Sequence, residues 1–183
     1  MKAPFDPTHS LKFDLGRGRV NVDGSQARLV LPLEAVQQLC DGAGQDALRD
    51  FGRNLGHEIG RRVSNRLPSI KSASVQDIVE HVGGEMALMG LGSLSIERWG
   101  EALVFAVSGC AFGAHSEQLL ASLLAGAAQR ALSRDIEAVV LSREDDRIRF
   151  LAASPSTAAT VNGWLADGMQ WGEVLSTLHA GPS

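Results

Sequence analysis

Three glycines, Gly52, Gly56 and Gly60, recur every four residues inside a stretch whose apolar residues keep helical spacing. From Gln45 to Arg66, Leu48, Phe51, Leu55, Ile59 and Val63 fall three or four apart and form one stripe. A glycine inside a helix costs about 0.5–1 kcal/mol relative to alanine, so three cost roughly 2–3 kcal/mol that some contact must offset. A strip without side chains offsets it by letting a second helix come close. Two partners fit: the same strip on another copy, or the next helix of the same chain, where Gly83-Gly84 stands ready to face it. We take Gly52, Gly56 and Gly60 as the association face of a homodimer or higher oligomer.

The rest of the chain alternates between two periods. Residues 1–31 read as short strands: Leu11, Phe13 and Leu15 alternate with polar residues, Val20 and Val22 resume, and Asp23-Gly24 signals a hairpin. Pro32 suits a helix start, and Asp41-Gly42-Ala43-Gly44 ends that helix. Pro68 closes the long glycine-bearing helix. Ser74, with Asp77 three residues on, is a capping pair for the next, which carries Val75, Ile78, Val79, Val82, Met86 and Met89 inward. A hairpin follows with Leu94, Ile96, Leu103, Phe105 and Val107 alternating about Trp99-Gly100. Ser116 is placed to cap a third helix, apolar over most of its circumference. A second hairpin turns through Arg143–Asp146, and Ser154-Pro155 opens the first of two C-terminal helices.

This order predicts a two-layer α+β fold, an antiparallel sheet of two hairpins packed against helices. We divide the chain into an N-terminal β-hairpin extension (1–31), an α+β core (32–153) and a C-terminal helical extension (154–183). At 183 residues there is room for one domain with appendages. A net charge of −4 argues against a nucleic-acid partner. No apolar run reaches the length of a membrane span. Two cysteines, Cys40 and Cys110, fit a reducing compartment, and the opening residues lack the layout of a signal peptide, so a cytoplasmic protein is expected.

Several chemistries lack their residues. His57-Glu58 starts a zinc-protease pattern, but Arg61 stands where the second histidine belongs. Gly90-Leu-Gly92 follows a helix and precedes a strand, the reverse of a dinucleotide-binding turn. Cys110 has no base near it in sequence and reads as an inert thiol. Arg49, Arg53, His57 and Arg61 make a cationic stripe that reads as a solvated helix face rather than an anion site. Met86, Met89, Trp99, Trp164 and Trp171 are the candidate surface for an apolar ligand or partner. We expect no catalytic residues, no cofactor and no metal.

The run LLASLLAGAAQRALSRDIEAVV followed by RIRFLAAS, with the Arg149-Phe150 pair, resembles the hydrocarbon-binding 4-vinyl-reductase domain. FGRNLGHEIGRRV resembles that family's first long helix and GLGSLSIERW its first strand. The same element order belongs to the related TRAPP vesicle-tethering subunits. ALRDFGRNLGHEI and EMALMGLGSLSIE also resemble the cellulose-synthase D subunit. In hydrocarbon-binding domains the resemblance implies a zinc held around the last hairpin; here SREDDRIRF has no cysteine or histidine, and Cys40 lies upstream of the segment that trafficking subunits acylate. The resemblance therefore implies a homo-oligomeric, non-enzymatic scaffold. Its alternatives are a sensor of a small apolar ligand or lipid and a cellulose-synthesis accessory.

Overall fold

The computed structural model describes residues 11–22, 26–67, 73–99 and 102–180. The turns expected at Asp23-Gly24 and Gly100, and the stop at Pro68, lie outside these. Three short strands come first: β1 (Leu11–Asp14), β2 (Arg19–Val22) and β3 (Gln26–Arg28). They form a small antiparallel sheet in that order, with Phe13 opposite Val20. Helices α1 (Leu33–Ala43), α2 (Gln45–Arg66) and α3 (Val75–Leu88) follow. Next come β4 (Ser93–Trp99), β5 (Ala102–Ser108), α4 (Ser116–Leu132), β6 (Glu137–Glu144) and β7 (Arg147–Ala153). The C-terminal helices are α5 (Pro155–Ala166) and α6 (Trp171–Ala180).

The fold is α+β, as its alternating periods require. Both hairpins join one antiparallel sheet of order β4-β5-β7-β6, in which Phe105 stands opposite Phe150. Alternation splits the sheet's side chains between two cores. Val107, Ile148 and Phe150 face α2, α3 and α4, joined by Ile59, Met86 and Leu123. Val104, Val139 and Leu151 face the other way, onto Val161 of α5 and Val174 and Leu175 of α6. The C-terminal helices thus cap the sheet's second face, so helices cover both sides where two layers were expected.

Local signals set several element ends. Asp77 N–H donates to Ser74 Oγ and Ser74 N–H to Asp77 Oδ2, each at 3.1 Å, a reciprocal capping box that opens α3. Ser154 Oγ accepts from Thr157 N–H at 3.2 Å, with Pro155 in the first turn of α5. Ser116 differs from expectation. The helix begins one residue earlier, so Ser116 is its first residue, and its buried hydroxyl caps nothing.

The glycine strip is occupied, though not by the partner the sequence suggested. A Cβ on Gly52 would lie 2.8 Å from the Leu119 carbonyl oxygen, and one on Gly60 2.6 Å from that of Ala127. A Cβ on Gly56 would meet the Leu123 carbonyl closer still, and Gly126 of α4 lies just as tightly on the Arg53 carbonyl. The strip therefore packs on α4 of its own chain, and its burial there leaves no free face for a second copy. Gly83 meets Leu94 of β4 instead of α2.

Two substitutions separate the seam from ordinary helical glycine. Gly56→Ala meets backbone that cannot rotate away and is expected to destabilise by about 3 kcal/mol or more. Gly163→Ala, on α5 with open space around it, is expected to stabilise by about 0.5–1 kcal/mol. Urea unfolding of both variants checks the contrast.

Candidate ligand-binding site

A cavity of about 90 Å3 lies where α3, α4 and the inner face of the sheet meet. Its origin is side-chain size. α3 presents Val75, Ile78, Val79 and Val82 at helical spacing. The facing turns of α4 present Ala127, Ala128 and Ala131, which are too short to reach across. Leu94 and Phe105 form the floor, and Ala138 and Ala152 add two more short side chains. All fourteen lining residues are apolar, so the cavity contains no side chain able to act as acid, base, nucleophile or metal ligand.

The start of α3 and the end of α4 form the mouth. Val75 is 45% and Leu132 41% exposed, unusual for large apolar residues lining a cavity. A groove of about 520 Å3 runs outside, along α3 and the edge strand β4, and shares Val75, Val79 and Leu94 with the cavity. The first turns of α3 therefore form the partition between cavity and groove.

The other end of α3 is fixed by charge. Glu85, 2% exposed, receives Arg62 Nε at 2.8 Å and Arg62 NH2 at 3.1 Å, while Arg66 NH1 lies 2.7 Å away. Removing one partner from such a buried group is far costlier than the group is stabilising, so the cluster acts as a positional lock between α2 and α3.

The candidate Met and Trp residues are not brought together. Met86 is fully buried in the inner core, and Met89 packs at that core's edge. Trp99 and Trp171 meet edge to face, 4.7 Å between centroids, on the opposite face of the sheet, and Trp164 packs there on α5. None of the five lines the cavity, because period-two alternation sends the β4–α6 group to the outer face. The cationic stripe is largely tied to neighbouring side chains: Arg53 to Glu137 at 3.0 Å, His57 to Gln129 at 3.1 Å and Arg61 to Glu58 at 2.8 Å. Burial, then the nearby Asp41 charge, pushes the Cys40 thiol up, which keeps it protonated. Among the described residues no group of three or more His, Cys, Asp or Glu is placed to hold a metal.

The outer face carries its own polar cluster. Glu97 accepts from Trp99 Nε1 at 3.1 Å, from Arg149 Nε at 3.0 Å and from Arg147. Arg149 also stacks 5.3 Å from the Trp171 ring centre, which links β4, β7 and α6. Burial alone would raise the Glu97 carboxyl; the hydrogen bonds from Trp99, Arg149 and Arg147 outweigh it and hold the group below the usual carboxylate range.

The architecture is thus an α+β domain with an antiparallel sheet between helical layers and an apolar cavity at the helix–sheet seam. Among solved structures it is similar to the phenol-responsive sensory domain of the transcription activator PoxR with phenol. The two share 14% identity at a TM-score of 0.59, over 81% of this chain and 90% of that one, which shows a common fold. No protein-family model matches the sequence, and no curated protein matches it. No helix among the described residues is long and apolar enough to cross a membrane.

The depressed Glu97 carboxyl gives a pH test. Its stabilisation is complete above the unfolded value near 4.3 and is lost as pH falls through the folded one. Glu97→Gln should therefore cost about 1–2 kcal/mol at pH 7. The difference from wild type should shrink below about pH 4, as urea titrations across pH report.

Proposed function

We propose that the chain is a non-catalytic sensory domain that binds a small hydrocarbon in the cavity between α3, α4 and the sheet. The observation that carries this is a lining of fourteen apolar residues with no polar side chain among them. One further point supports it: the fold is similar to that of a phenol-responsive sensory domain. The surface chosen for self-association is filled by α4, which leaves the ligand reading with the stronger physical basis.

Size and polarity define the ligand. About 150 Å3 is the scale of an apolar cavity that takes benzene, so 90 Å3 admits a single ring only if the lining gives. The first turns of α3 are the part able to give, since they face the mouth while Glu85 holds the other end. Outward movement of α3 is then the signal that binding produces, because the ligand fits the moved state alone. A hydroxyl buried here finds no side-chain partner, at a cost of about 1–3 kcal/mol.

Toluene should therefore bind about tenfold or more tightly than phenol, the opposite of a site built for the hydroxyl. Thermal unfolding in graded toluene should show a concentration-dependent rise in Tm. Ala128→Leu, which fills the cavity, should abolish that rise while leaving the unliganded protein as stable as before or more so. Absence of any toluene effect on the wild type, or equal affinity for phenol, would sink the proposal.

A further inference from the structure

A second groove, of about 510 Å3, lies beneath the N-terminal sheet and is several times larger than the cavity. Its walls come from β1 and β2, from the segment after β3, and from α2 and the end of α3. Phe13, Leu29, Leu31, Phe51 and Met89 line it. Phe13 is 63% and Phe51 46% exposed, so the groove presents apolar surface to solvent, as binding surfaces do.

Only two charged side chains line it, Arg28 and Glu85. Glu85 has both oxygens taken, by Arg62 and Arg66. Arg28 is differently placed. Its NH2 lies 3.9 Å from Glu58 Oε1, beyond hydrogen-bond distance, and Glu58 already takes Arg61 through both oxygens at 2.9 and 2.8 Å. Arg28 therefore stands at the groove wall with a guanidinium held only by a long ion pair to Glu58. An apolar trough with one such guanidinium complements a molecule with a long apolar body and a single anionic end.

We propose that this groove binds a single-chain amphiphile with an anionic head group, the alkyl chain lying along Phe13, Phe51 and Met89 and the head on Arg28. The proposal is independent of the small-hydrocarbon reading, because the two sites share no lining residue.

Titration calorimetry of the full chain with dodecanoate, dodecyl phosphate, dodecanol and dodecylamine, each below its micellar concentration, tests it. Both anions should bind, and whichever binds more tightly identifies the head group as carboxylate or phosphate. Arg28→Gln should weaken the anions about tenfold or more and leave dodecanol unchanged, while Arg28→Lys should restore most of the loss. Phe51→Ser should weaken all the chains that bind, and Ala128→Leu should change none, which keeps failure here distinct from failure of the cavity. Tm values of the variants establish that each is folded. Three results would overturn the proposal: dodecylamine binding as well as dodecanoate, Arg28→Gln without effect, or no anion binding in a protein that sediments as a dimer and becomes monomeric with Phe51→Ser. The last would assign the groove to a second copy of the chain.

Discussion

Backbone contact between α2 and α4 is the constraint on which the rest of the molecule depends. Gly52, Gly56 and Gly60 meet the carbonyl oxygens of Leu119, Leu123 and Ala127 in turn, four residues against four, so the helices run in the same direction and in step. Gly126 returns the contact onto Arg53 from the other side. At this separation no side chain fits between them, and α4 is spaced from α2 by atoms that cannot rotate. A helix fixed so firmly on one face can carry a loosely filled face opposite, and there Ala128 and Ala131 leave the cavity.

Charge is placed so that the apolar seam stays apolar. Glu85 with Arg62 and Arg66 ties the C-terminal half of α3 to α2, and Glu97 with Arg147 and Arg149 ties β4 to β7 on the outer face. Burying such groups brings little net stability, since desolvation offsets attraction, but misplacing them is costly. They therefore fix where elements sit. Between the two clusters, the fourteen residues that line the cavity at the α3–α4–sheet seam are all apolar.

Element order and period were legible in the residues because amphipathic helices and alternating strands announce themselves locally. The capping pair Ser74-Asp77 and the stop-start at Ser154-Pro155 were equally plain. The partner of the glycine strip was not. The clue was Gly126 within LLASLLAGAAQ, a small residue on the one helix apolar nearly all round, whereas Gly83 of the expected Gly83-Gly84 pair meets Leu94 of β4. The Met and Trp residues do not line the cavity for a related reason: a cavity forms where side chains are small. Alanines at 127, 128 and 131 opposite valines at 75, 79 and 82 were the available signal. The Arg62–Glu85 pair spans 23 residues between different helices, and no local pattern specifies it.

The cavity also has an energetic meaning. Left empty, a cavity of 90 Å3 would cost about 2 kcal/mol, at roughly 24 cal/mol per Å3. Leucine at one of the alanine positions would recover much of this, and leucine is an equally good helix former. A chain that carries alanine there forgoes stability it has an easy route to. That sacrifice is intelligible when a guest supplies the missing contacts, since the same energy then appears as preference for the liganded state. A difference of that size shifts a two-state equilibrium by a factor of roughly 30, which is in the range of measured allosteric couplings. Under the proposed reading, the contacts missing at Ala127, Ala128 and Ala131, across α4 from the seam with α2, are the ones a bound hydrocarbon would supply.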